Sequence, residues 1–300
     1  MDCPQDDARH LIDLSRGPEL LSLLLTSTEL GRDYRPGKPY VRSAISCRTV
    51  RAIEKGGLPM VVRYGTEVLP VEAEVTTFVA RNTSIRVPKV YAVFSEVRAN
   101  NRLINYIVEE RLPGFTLDQV FPSLGDTALQ SVAFELRMVY DELSKLSELR
   151  TTLGPLHGPH NSPYFLRLFE GYPCRDVEAR STGSLIEHLF KPIFPTPLSA
   201  TQDHIAKALE CFDLSIFSHG DLQPANVVYS DGHVVGIIDW EGAGWYPYFW
   251  DSFVVFKSAL QLMCESPKWQ QVLPTLCEQH VVEARRFFSI WSSAQDALDL

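Results

Sequence analysis

The 300-residue sequence has no CxxC pair and no Cys/His cluster at zinc-ligand spacing; its six cysteines stand apart at positions 3, 47, 174, 211, 264 and 277. That distribution gives no support to a structural zinc site, and in a chain this long it does not read as a disulfide framework. A reducing compartment and buried, unpaired thiols are expected. Positive charge is also in short supply: 28 Lys and Arg stand against 37 Asp and Glu, a formal charge of −9. A protein that grips a phosphate backbone needs a basic face, so nucleic acid is not an expected partner. Long apolar runs are missing as well. The longest near the amino terminus, Leu20 to Leu25, is broken by Ser22, whereas a membrane span takes about 20 apolar residues. The opening MDCPQDDARH is acidic where a secretory or transit segment would be basic. A cytoplasmic protein with no membrane partner is expected, and no internal repeat or low-complexity run is visible.

What remains is enough for a real core. With 45% hydrophobic and 22% charged residues, the composition is that of a folded globular chain, and its length suits one large domain or two lobes. The texture changes near Pro113-Gly114. Before it, Cys47–Ile53 and Leu58–Tyr64 read as strands joined by Glu54-Lys55-Gly56-Gly57, a hairpin with glycines at its turn. Pro70 suits a first helical position, and Val71, Val75, Phe78 and Val79 form one apolar stripe ending near Asn82. Glu72 and Glu74 flank that stripe, and periodicity alone does not separate them. Lys89–Phe94 and Leu103–Glu109 are two further strands around a polar turn.

Beyond Pro113-Gly114, Asp126 is placed to cap a long helix whose apolar face carries Leu129, Val132, Ala133, Leu136, Val139, Tyr140, Leu143 and Leu146. Residues 151–200 are rich in Pro, Gly and aromatics, too irregular for a simple connection. Helical texture returns at 201–213 and again from about 250 to the end.

Between those helical stretches lies FSHGDLQPANVVYSDGHVVGIIDWEGAGWYPYFWD, residues 217–251. Val227–Ser230 and His233–Ile238 are β-rich and are joined by Asp231-Gly232, the strongest short hairpin signal. Pairing Ser230 with His233 sets Asn226 opposite Ile237, with Asp239 diagonal to it on the same side of the ribbon. Diagonal neighbours are about 7 Å apart, close enough for a carboxamide oxygen and a carboxylate to share a hard cation such as magnesium. His219 and Asp221 lie in the loop entering that end. A carboxylate to take a hydroxyl proton, beside an Asn and an Asp to hold magnesium on nucleotide phosphates, is the equipment of phosphoryl transfer.

HGDLQPAN followed by IIDWE resembles the catalytic-loop and metal-binding motifs of the aminoglycoside phosphotransferase and choline kinase-like family, small-molecule kinases of protein-kinase-like fold. Upstream, VVRYG, VEAEVTTFVARNTSIRVPKVY and YIVEERLPGFTL resemble the nucleotide-lobe strand, helix and hinge of fungal-type members. The resemblance implies an α+β, bilobal fold, a small antiparallel sheet with one helix over a mainly helical lobe, with the site in the cleft. It implies an N-terminal helical extension over 1–39, a nucleotide-binding lobe over 40–110 and a catalytic and substrate-binding lobe over 111–300.

By the same resemblance Asp221 is the catalytic base, with His219 a structural member of the catalytic loop. Asn226 and Asp239 are the magnesium ligands that bring in ATP. Arg63 contacts the nucleotide phosphates and is held by Glu72, and the adenine lies against the backbone of Val108, Glu109, Glu110 and Arg111. The implied reaction moves the γ-phosphate of ATP to a hydroxyl, less readily an amine, of a small-molecule acceptor. Only eleven residues separate Asp239 from Asp251, too few for the long activation and peptide-docking segment of a protein-substrate kinase. Two departures stand out: Arg63 occupies a position where most kinases carry lysine, and no glycine-rich phosphate loop is visible. They motivate the alternative of a degenerate nucleotide-binding pseudokinase, or a kinase-like scaffold reused in a biosynthetic pathway.

Overall fold

The computed structural model describes residues 28–29, 48–55, 57–97, 101–146, 154–155, 183, 185, 207, 214–261, 268–269, 271–272, 275 and 280–298. Apart from isolated positions, the expectations for the 1–39 extension, the 151–200 segment and the 201–213 helix fall outside this set, as do all six cysteines. The described chain forms two compact units, one drawn from residues up to Thr77 and Pro88–Leu112, the other from Phe78–Val87 and Pro113 onward.

The first unit is a five-stranded antiparallel sheet: β1 (Thr28–Glu29), β2 (Arg48–Lys55), β3 (Leu58–Gly65), β4 (Val90–Val97) and β5 (Leu103–Glu110), in the order β1-β2-β3-β5-β4. Lys55 pairs with Leu58, so the β2–β3 loop holds only two residues and the strands run further than the four-residue turn expected from sequence. Ile53, Met60, Val62, Ala92, Tyr106 and Val108 pack on one face. Across that face Tyr64, Tyr106 and Phe94, directly opposed on three strands, stack with centroid separations of 5.5 and 4.6 Å. Such cross-strand aromatic pairs hold register as well as area.

Side chains alternate along a strand, so Val61, Arg63, Ile107 and Glu109 point to the opposite face. There Val68, Ala73 and Ile107 pack together. Ala73 belongs to α1 (Pro70–Asn82), which begins at Pro70 as expected. Its buried positions are 72, 73, 75, 76 and 79, while Glu74 is exposed. The structure thus separates the two acids that the stripe could not: Glu72 faces inward, at 1% exposure.

The second unit carries two small sheets. One has the order β10-β9-β6, from β6 (Phe115–Thr116), β9 (Val227–Ser230) and β10 (His233–Ile237); the other has the order β7-β11-β8, from β7 (Gly154–Pro155), β8 (Ser215–Ser218) and β11 (Gly244–Pro247). With them stand α2 (Leu117–Val120), α3 (Asp126–Ser144), α4 (Trp250–Gln261) and α5 (Val281–Leu298). The helix cap moves by one residue: Gly125 is the N-cap of α3, and Asp126 is its first residue, where a carboxylate still favours the positive end of the helix dipole. The expected apolar face of α3 is buried through Leu129, Val132, Ala133, Leu136, Tyr140 and Leu143. Trp240, Trp245, Tyr246, Tyr248, Phe249 and Trp250 are all buried, so this aromatic run is core. No helix among the described residues is long and apolar enough to cross a membrane.

Candidate active site

The site is organised by the β9–β10 hairpin. Its two-residue turn has positive φ at both Asp231 (51°) and Gly232 (92°), the signature of the tight turn that matches strand twist, and Ser230 pairs with His233 as expected. The register then slips. Val234 pairs with Tyr229 but Gly236 pairs with Val228 and Ile237 with Val227, leaving Val235 as an extra residue. Asn226 is therefore not opposite Ile237; instead the Ile238 N–H donates to the Asn226 carbonyl at 2.9 Å. Bulges form where one strand carries a residue without a partner, and a glycine inside a strand is their usual sequence mark. Gly236 was that mark.

Asn226 closes a short turn, Pro224–Asn226, that leads into β9. Its amide nitrogen donates to the Asp221 main-chain carbonyl at 2.8 Å and to Asp221 Oδ2 at 3.1 Å. Gln223 Nε2 reaches the same Oδ2 at 2.9 Å. Two amides thus fix the plane of one carboxylate, and the donation also fixes which end of the Asn226 carboxamide is oxygen.

His219 has no room to act as a proton shuttle. It is fully buried; its Nε2–H donates to the Ile238 carbonyl at 3.0 Å and its Nδ1 accepts the Asp221 N–H at 3.2 Å. That pair of bonds requires the neutral imidazole. Burial pushes its pKa down to about 4, against the Ile238 carbonyl and the Asp239 charge, which push it up. His219 therefore ties the loop bearing Asp221 to the strand end bearing Asp239.

Asp239 itself sits in the left-handed region, with φ 67° and ψ 59°, an uncommon conformation that persists only where its surroundings hold it. Gly220 meets the turn that follows Asp239. At φ +81°, a Cβ built on Gly220 would lie 2.2 Å from the Gly242 carbonyl oxygen, so only glycine lets the two loops approach this closely.

Asp251, in the first turn of α4, clamps the loop from below: the His219 and Gly220 N–H groups donate to its two oxygens at 3.1 and 2.9 Å. Burial raises its pKa to about 6, opposed by these two backbone bonds. The linkage signs of His219 and Asp251 are opposite. Between pH 4 and 6.5 the unfolded chain carries a proton on His219 that the folded chain lacks, so that group's contribution to stability rises with pH. The folded chain keeps Asp251 protonated to about 6 while the unfolded chain ionises near 3.8, so its contribution falls over that interval. In Asp251→Asn the contribution of Asp251 is removed and that of His219 stays. Urea unfolding in metal- and nucleotide-free buffer is expected to show the difference, variant minus parent, moving in favour of the variant as pH rises from 4 to 6. A difference independent of pH would contradict this assignment.

One cation lies near this cluster. Lys257 of α4 lies with its Nζ 5.1 Å from the centroid of the Trp291 ring on α5. Burial lowers its pKa, and the Asp221 charge opposes that shift. Two turns beyond Asp251 on an apolar helix, it had no motif to mark it.

In the first unit, Arg63 is 5% exposed and is paired with Glu72 through Nη1 and with Glu109 Oε2 through Nη2, the latter at 3.0 Å. The Glu72 pairing agrees with the expected partner; the Glu109 pairing was not anticipated. Val108 is paired with Val62 and Ala92, and the N–H groups of Glu110 and Arg111 donate to the Lys89 and Pro59 carbonyls.

The model of the phosphotransferase enzyme family matches residues 41–263. The chain belongs to this family. Among solved structures it resembles the macrolide 2′-phosphotransferase MphH of Brachybacterium faecium, at 14% identity and a TM-score of 0.53 over 94% of this chain and 97% of that one. It also resembles the aminoglycoside phosphotransferase APH(4)-Ia, at 14% identity and a TM-score of 0.51 over 95% of this chain and 97% of that one. No curated protein matches it in sequence. The fold is the α+β protein-kinase-like fold of these structures, and by its family the chain is a phosphotransferase.

Proposed function

We propose that this phosphotransferase moves the γ-phosphate of ATP to a hydroxyl of a small-molecule acceptor, with Asp221 as the general base. The observation that carries the reading is the doubly held carboxylate of Asp221, with Gln223 and Asn226 both donating to its Oδ2. A base must be aimed before it is used. The acceptor oxygen attacks the γ-phosphorus as the bond to the ADP oxygen breaks, and the hydroxyl proton passes to Asp221. His219, neutral and bonded at both ring nitrogens, positions the loop and takes no proton.

Asn226 and Asp239 fit a magnesium ion chemically: a carboxamide oxygen and a carboxylate are the hard donors that ion prefers, and the Asn226 nitrogen is already committed to Asp221. Bound there, magnesium would neutralise charge on the nucleotide phosphates. Arg63 would meet those phosphates, held by Glu72, and Val108–Arg111 would form the adenine side. With a net charge of −9, the chain's overall field disfavours a polyanion, so nucleotide affinity depends on local positive charge.

Isothermal calorimetry tests this reading. ATP is expected to bind at least about tenfold more tightly with magnesium than without it, and Asn226→Ala to remove most of that metal dependence. A protein that binds no nucleotide under any metal condition would overturn the reading and leave the pseudokinase alternative.

A further inference from the structure

The paired state of Arg63 carries a consequence for the nucleotide site. In the β3–β5 ladder Arg63 faces Ile107 and Val61 faces Glu109, so Arg63 and Glu109 share one face of the sheet as diagonal neighbours, within reach of long side chains. Glu72 approaches the same guanidinium from α1. All three groups are buried, at 5%, 5% and 1% exposure for Arg63, Glu109 and Glu72. One cation therefore serves two carboxylates that come from two different elements.

That arrangement selects the side chain at position 63. A guanidinium is a planar fork whose two terminal nitrogens diverge, so each can meet its own carboxylate; an ammonium is a single point on a shorter stem. A lysine that kept the contact with Glu72 would leave Glu109 buried without its ion pair, which is strongly unfavourable. The second carboxylate thus gives a physical reason for arginine at this position.

We infer that Glu109 is a positioning residue for Arg63: it fixes the guanidinium from the sheet while Glu72 fixes it from the helix, and Arg63 and Glu109 are a matched pair. The inference rests on the reading of Arg63 as a phosphate contact. With both terminal nitrogens anchored, the orientation of the cation is set before the nucleotide arrives, which lowers the ordering cost of binding.

The test compares four proteins: the parent, Arg63→Lys, Glu109→Gln, and both changes together. Each is measured for magnesium-ATP affinity by calorimetry and for thermal midpoint. Arg63→Lys is expected to weaken ATP about tenfold and to lower the midpoint by about 10 °C, because it strands a buried carboxylate. Glu109→Gln keeps an acceptor oxygen and is expected to weaken ATP about threefold with a midpoint within about 2 °C of the parent. That affinity loss without a melting loss separates positioning from mere structural support. The combined variant is expected to regain at least half of what Arg63→Lys lost in both measurements. Losses that simply add, in affinity and in midpoint, would overturn the pairing. If the parent itself binds no magnesium-ATP, the reading of Arg63 as a phosphate contact fails, whereas the melting cycle still decides whether Arg63 and Glu109 are matched.

Discussion

Asp221→Asn is expected to lower phosphate transfer by about 10³-fold while leaving magnesium-ATP affinity within about threefold of the parent. The substitution keeps the size of the side chain and removes its negative charge and with it its capacity to take a proton. The neighbouring groups make the comparison cleaner than usual. Asn226 also donates to the Asp221 main-chain carbonyl, and the Asp221 N–H donates to His219, so the backbone of the loop keeps its bonds whatever side chain stands there. Gln223 and Asn226 can still donate to the Oδ1 of the new asparagine, so no buried donor is stranded. Single-turnover transfer, read alongside calorimetric nucleotide binding, separates loss of the base from loss of the site. Retained full turnover would show that the base lies elsewhere.

The second large effect is on stability. Gly220→Ala places a methyl group 2.2 Å from the Gly242 carbonyl oxygen at a residue with φ +81°. Two costs combine: left-handed backbone strain, about 1 kcal/mol, and a backbone-to-methyl overlap of the kind that costs about 1–3 kcal/mol when a packed interior is overfilled. The overlap cannot be relieved by rotating a side chain, because its partner is main chain. Destabilisation of about 2–4 kcal/mol is expected, together with loss of activity greater than the change in folded fraction, since the loops that would part carry Asp221 and Asp239. Chemical denaturation of parent and variant gives the first quantity and activity corrected for folded fraction gives the second. A variant that melts within 1 °C of the parent would contradict the close approach.

Much of the local structure was legible because single residues marked it. Pro70 opens α1, Asp231-Gly232 turns the β9–β10 hairpin, and the apolar stripe of α3 is buried as its spacing requires. What escaped was decided by tertiary contact. The Val235 bulge changes the partner of Asn226 by one residue, and a simple alternation rule has no means of counting an unpaired residue. Glu72 and Glu74 flank the same stripe, and only the packed sheet shows that Glu72 is inside. Glu109 stands in the hinge segment, and its side chain is the partner of Arg63 across β3 and β5, a pairing that depends on strand register between residues 46 positions apart. Lys257 is set by where α4 docks, and nothing in the 250–261 segment taken alone marks it.

Transfer of phosphate from ATP through Asp221 is open to a direct spectroscopic test. Phosphorus NMR follows the parent and the Asp221→Asn variant, each incubated with magnesium-ATP and a panel of hydroxylated small molecules. With the parent the γ-phosphate resonance is expected to decline as a new phosphomonoester signal grows with at least one acceptor, and with the variant neither change is expected over the same time. Phosphoester formation at equal rates with both proteins, or ATP left intact by the parent across a broad acceptor panel, would contradict it.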